Sequence, residues 1–206
     1  MADVAHRKLG VALGLGEKPV IALLAGSRLQ EVKKVLPEMV SVAGSLPDYQ
    51  FVVAGMEHLP EQLYRDIIGQ APVSVICGKT YELLSVAEAA LVTSGTATLE
   101  AALFDVPQIV CYKTSSLSYH LMKLAIKVRF ISLVNLIMDR EVVRELIQSD
   151  LNQLTLYREL QNILRTGHKH DVIRTDYKQL RKILGDAGAS ARIASDMVDN
   201  LKRSVN

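Results

Sequence analysis

Short apolar runs alternate with longer amphipathic stretches along the first half of the chain. Residues 20–24 (VIALL) are an uninterrupted apolar run, short enough for a buried strand. The turn Ala25-Gly26-Ser27-Arg28 follows, and then a helix predicted to about residue 46. That helix carries Val32, Val35, Met39 and Val42 at helical spacing, with a kink expected at Pro37. Further strands are predicted at 50–54, 73–77, 89–93 and 108–112, with helices between them at about 59–68, 81–87 and 98–103. Strands alternating with helices through short connections predict an α/β fold, a doubly wound parallel sheet covered on both faces. Ligands in such sheets sit beyond the carboxyl ends of the strands. Four turns, 25–28, 55–58, 77–80 and 94–96, are therefore expected to converge on one edge of the sheet.

Beyond residue 113 the pattern predicts a basic amphipathic helix over 116–128 and a helix over 141–148. Helical periodicity continues at 151–164, 171–184 and 189–202. The organisation expected is a glycine-spaced lead-in over 1–19, a Rossmann-like domain over 20–150 and C-terminal helices over 151–206.

The stretch LVTSGTATLEAALFDVPQIVCYK, residues 91–113, reads as strand, polar turn, helix and strand. Its turn would expose backbone N–H groups at the start of a helix, an arrangement suited to a phosphate. Gly95 allows close backbone approach, and Ser94, Thr96 and Thr98 carry hydroxyls able to donate. Glu100, one turn into the helix, is placed to accept from ribose hydroxyls. On this turn alone the local reading is the favoured one, with Thr96 as N-cap and Glu100 as an acid that suits the helix dipole.

Composition narrows the classes. A net charge of +2 over 206 residues predicts no nucleic-acid partner. Cys77 and Cys111 are unclustered, which points to reduced thiols in a cytosol and to no zinc site. The five histidines show no ligand spacing. No apolar run approaches the ~18 residues of a membrane span, and the first residues, MADVAHRKLG, lack the apolar core of a signal peptide.

Five segments stand in one order and spacing: LLAGSRLQEV (23–32), TSGTATLEAAL (93–103), VPQIVCYK (106–113), FISLVN (130–135) and VVRELIQ (142–148). Over roughly residues 9–165 this series resembles the C-terminal half of lipid-A-disaccharide synthase, a glycosyltransferase of the two-Rossmann-domain (GT-B) type. Two positions depart from it: Ala25 stands where the family has the proline of LLPGSR, and Val134 where it has the proline of SLPN. Both departures bear on turn rigidity more than on chemistry.

The resemblance implies transfer of 2,3-diacylglucosamine from UDP to 2,3-diacylglucosamine 1-phosphate, inverting and without an obligatory metal. It implies that this chain is the donor-binding half, that the acceptor side and general base belong to an N-terminal domain absent here, and that the chain is inactive alone. Arg28 is then a diphosphate contact, with a surface ion pair to Glu31 as the alternative. Ser94, Gly95, Thr96 and Thr98 form the phosphate turn, Glu100 takes the ribose, and residues 77–81 form the uracil edge through backbone groups. Asn135 would orient a sugar hydroxyl or acyl amide, unless it is a turn residue. Glu145 and Gln148, three apart on one predicted helix face, would reach sugar or ribose, unless that face is simply solvated.

Two other functions fit the sequence: another UDP-sugar GT-B transferase or epimerase, or a stand-alone nucleotide-binding module. A second copy of the chain is a further partner the reading allows. Residues 106–138 contain no Asp or Glu, while Lys113, Lys123, Lys127 and Arg129 supply cations. Leu117, Leu121, Leu124 and Val128 form one apolar stripe in that segment. Such a face would dock peripherally on an anionic membrane or, alternatively, be a core helix with a solvated basic side.

Overall fold

The computed structural model describes residues 9–114 and 129–185. The expected helix over 116–128, with Lys123 and Lys127, and the helix over 189–202 lie outside the described residues. Six strands, β1 (Val20–Leu24), β2 (Gln50–Gly55), β3 (Val73–Cys77), β4 (Ala87–Thr93), β5 (Gln108–Tyr112) and β6 (Arg144–Ile147), form one sheet. Its order is β3-β2-β1-β4-β5-β6, and every pair is parallel. The helices are α1 (Leu29–Ser41), α2 (Glu61–Ile68), α3 (Thr80–Val86), α4 (Ala97–Leu103), α5 (Leu133–Met138), α6 (Gln153–Ile163) and α7 (His170–Leu184).

Strand periodicity explains the two-sided core. In β1, Ile21 and Leu23 join one apolar cluster, while Val20, Ala22 and Leu24 join the other. The larger cluster takes in Val32, Val35, Leu36 and Met39 of α1, and also Leu156, Leu160, Ile173 and Tyr177 of α6 and α7. The C-terminal helices over 153–184 thus pack into the core of the sheet. The smaller cluster takes in Leu83 and Leu84 of α3 and Ala101 of α4. The expected doubly wound α/β fold is the observed one. Pro37 sits inside α1, which ends at Ser41, and Ala43–Ser45 is a separate 3-10 turn.

One element differs in kind. The helix expected over 141–148 is instead the strand β6, followed by a 3-10 turn at Gln148–Asp150. Residues 144–147 pair in register with Ile109–Tyr112 of β5. The outer edge of β5 offers a row of backbone donors and acceptors, which a strand satisfies and a helix does not. An eight-residue helix is marginal by itself, so tertiary pairing decides.

The chain runs β1, β2, β3 toward one edge and then crosses back to lay β4 on the other side of β1. Strand order reverses there, and the turns leaving β1 and β4 part around the gap.

Candidate functional site

A cleft of about 750 Å³ opens at this switch point. Gly26–Arg28, Gly55–His58, Gly78 with Thr80 and Tyr81, and Thr93–Ala97 line it, so all four of the expected turns contribute. The N-terminal end of α1 and Glu100 of α4 complete the wall.

The first turn is tight. Gly26 has φ of +99°, and a Cβ there would lie 2.5 Å from Oε2 of Glu31, so a side chain at this position is strained and displaces Glu31. Arg28 is the N-cap of α1. Its N–H donates to Glu31 Oε2 at 3.4 Å and its Nη1 to Glu31 Oε1 at 2.9 Å. The Arg28 side chain is 82% exposed. A pair so placed contributes ~0–1 kcal/mol and restrains the guanidinium only weakly against a ligand. His58 Nε2 lies 2.8 Å from the carbonyl oxygen of Ser27, tying the turn after β2 to the turn after β1.

The turn after β4 is clamped from both sides. Ser94 Oγ donates to the Ile131 carbonyl at 2.7 Å, and Thr98 Oγ1 donates to the Gly95 carbonyl at 2.8 Å. Gln108, fully buried in β5, donates from Nε2 to the Thr98 carbonyl at 2.8 Å and holds α4 against the sheet. A Cβ on Gly95 would meet no protein atom within 4 Å, so this side of the turn is open. Among the described residues, the N–H groups of Gly95 and Thr96 donate to no protein acceptor, and the Thr96 hydroxyl makes no cap bond.

Several sequence expectations change here. Thr98 is fully buried, with its hydroxyl engaged inside the turn, so it does not face the cleft. Helix phase is the cause: Thr98 shares the inward face with Ala101 and Ala102, three and four residues on. Ser94 lines the cleft, but its proton is given to Ile131.

Asn135, Glu145 and Gln148 do not line the cleft. Asn135 is fully buried. Its Oδ1 accepts from Val142 and Val143 N–H at 2.8 and 3.0 Å, and its Nδ2 donates to the Val143 carbonyl and to Glu145 Oε1, both at 2.8 Å. All of its side-chain hydrogen-bonding capacity joins α5 to the start of β6 and the two residues leading into it. Glu145 Oε1 also accepts from Ser132 N–H at 3.0 Å and Ser132 Oγ at 2.7 Å, while Oε2 accepts from Ile131 N–H at 2.9 Å. Gln148 Oε1 accepts from Thr114 N–H at 3.0 Å, beyond the end of β5. Glu145 and Gln148 share no helix face, because the segment is a strand and a turn. Lys113 is paired with Glu38 rather than presented free at a surface.

Residues that received no individual role also line the cleft: Glu57, His58 and Glu82. The signal for the first two was available, since both fall in a turn that follows a strand. Among the described residues, charge in the cleft is lopsided, with one arginine beside Glu31, Glu57, Glu82 and Glu100. Neither thiol is an activated nucleophile. Burial pushes both the Cys77 and the Cys111 thiol up, and at Cys77 the carboxylates of Glu61 and Glu57 add to it. Among the described residues, no cluster of three or more His, Cys, Asp or Glu could hold a metal ion, and no helix is long and apolar enough to cross a membrane.

A parallel sheet in this order, with a cleft at its switch point walled by small-residue turns, is a Rossmann-like nucleotide-binding type of fold. The calicheamicin glycosyltransferase CalG4 is similar in fold at a TM-score of 0.60 and 15% identity, over 92% of this chain and 45% of that one. The S. aureus MnaA–UDP co-structure is similar at 0.60 and 16%, over 94% and 48%.

The sequence is more specific than the fold. The chain belongs to the lipid-A-disaccharide synthetase family, whose sequence profile matches residues 8–195. It is 38% identical over 191 residues to the lipid-A-disaccharide synthase of Syntrophus aciditrophicus (strain SB), covering 89% of this chain and 50% of that protein. It is 34% identical over 195 residues to that of Anaeromyxobacter sp. (strain K), covering 91% and 51%. The chain thus spans about half the length of these curated relatives.

Proposed function

We propose that the cleft binds the nucleotide of a UDP-sugar and that the chain is the donor-binding half of a lipid-A-disaccharide synthase. The reaction is transfer of 2,3-diacylglucosamine from UDP to 2,3-diacylglucosamine 1-phosphate, with inversion and release of UDP. The observation that carries this reading is the convergence of four post-strand turns on one cleft at the switch point. The N–H groups of Gly95 and Thr96, unpaired among the described residues, take the diphosphate together with the Thr96 hydroxyl and Arg28. Donors fixed before the reaction stabilise charge developing on a leaving diphosphate without reorganising, and no metal ion is then required. Glu100 accepts from the ribose hydroxyls, and the backbone of 77–81 meets the uracil. The general base and the acceptor site belong to the other half of the protein.

Calorimetric titration with UDP and ADP, in the presence and absence of EDTA, tests this reading. Saturable binding of UDP, weaker binding of ADP and indifference to EDTA are expected. Failure to bind UDP, or disaccharide formation by this chain alone, refutes it. Peripheral docking on anionic lipid belongs to the same proposal. With Lys113 paired to Glu38, that reading rests on Lys123, Lys127 and Arg129. Co-sedimentation with phosphatidylglycerol vesicles that ignores both salt and substitution of those three by Gln refutes it.

A further inference from the structure

Ser94 and Glu145 lie on opposite sides of one peptide unit. The carbonyl of Ile131 accepts the Ser94 hydroxyl at 2.7 Å, and the N–H of Ser132, in the same peptide plane, donates to Glu145 Oε1 at 3.0 Å. A trans peptide is rigid, with its C=O and N–H pointing in opposite directions, so fixing one edge fixes the other. The carboxylate grips further. It accepts Ile131 N–H at 2.9 Å, Ser132 Oγ at 2.7 Å and Asn135 Nδ2 at 2.8 Å. Four donors converge on the two carboxylate oxygens; a glutamine would turn an N–H toward one of those donors. Ser132 and Asn135 are fully buried, so this arrangement has little room to relax.

We propose that Glu145 is a positioning residue for the site. Acting through the Ile131–Ser132 peptide and the Ser94 hydroxyl, it sets the geometry of the Ser94–Thr96 turn and so the aim of the Gly95 and Thr96 N–H groups. The inference deepens the donor-binding reading and rests on it for the identity of the ligand. Glu145 touches no ligand in this account, and its effect on binding passes through one hydroxyl–carbonyl bond.

The test uses the full chain carrying Glu145→Gln, Ser94→Ala and both together. Titration with UDP and with uridine separates the phosphate turn from the rest of the cleft. Each single variant is expected to raise the Kd for UDP about tenfold while leaving that for uridine within twofold. The double variant should be no worse than the weaker-binding single, because both substitutions open the same link. Equal losses for uridine and UDP, or additive losses in the double variant, overturn the proposal.

Amide hydrogen exchange of the 93–99 segment without ligand is read in parallel. It should accelerate in Glu145→Gln and in Ser94→Ala alike, and unchanged exchange overturns the proposal whatever UDP does. Should Glu145→Gln fail to fold, Ser94→Ala decides by the same two readouts. If the unmodified chain does not bind UDP, the donor-binding reading fails, while hydrogen exchange still judges the link.

Discussion

Asn135 separates a ligand role from a structural one. Replacing it with alanine removes the oxygen that accepts from Val142 and Val143 N–H at 2.8 and 3.0 Å. Both residues are buried, so two backbone donors are left without an acceptor. At roughly 1–3 kcal/mol for each orphaned buried group, Asn135→Ala should lose about 2–6 kcal/mol. That is a large share of the ~5–15 kcal/mol that holds a domain together. With a urea m-value of about 2 kcal/mol/M, the unfolding midpoint should fall by roughly 1–3 M.

Asn135→Asp keeps the two accepting bonds but sets a second carboxylate oxygen against Glu145 Oε1 and the Val143 carbonyl, both now 2.8 Å from a donor. It should be no more stable than the alanine variant near neutral pH. Urea unfolding followed by circular dichroism measures both, and UDP titration well below the transition measures ligand contact. An unchanged midpoint together with lost UDP affinity would refute the structural assignment and return Asn135 to the ligand.

Glu100→Ala should weaken UDP binding by about 1–3 kcal/mol, and a dideoxy analogue lacking the ribose hydroxyls should lose less; equal losses return Glu100 to a helix-dipole role. Gly26→Ala should cost about 1–2 kcal/mol, because φ of +99° disfavours a side chain and the new Cβ would strike Glu31; an unchanged thermal midpoint contradicts this. Burial pushes the Tyr177 phenol up from its ordinary 10.0, so the fold favours its neutral form. The stability this gives is complete below about pH 10 and falls as pH rises above it, by up to ~1.4 kcal/mol per pH unit. Urea midpoints between pH 9 and 11 should therefore fall less steeply for Tyr177→Phe than for the unmodified chain.

Turns that follow unbroken apolar strands were legible because the strand itself dictates where they fall. Gly26, Arg28, Gly95, Thr96 and Glu100 all reach the cleft by that logic. Thr98 was legible in principle, since its spacing to Ala101 and Ala102 marks the inward face of a short helix. The segment 141–148 was not, because its strand character comes from the free edge of β5, a partner 35 residues away. Asn135, Glu145 and Gln148 look like ligands in one dimension for the same reason that they serve as ties in three. Each is a polar side chain with several donors or acceptors, and only the fold decides whether backbone or substrate completes them.

Among the described residues the cleft sets one arginine against four glutamates, and that imbalance has a kinetic consequence. Close to the cleft, the field of these carboxylates repels a highly charged nucleotide and works against the steering that basic phosphate sites provide. Salt shields that field, so the association rate for UDP should climb as ionic strength rises rather than fall.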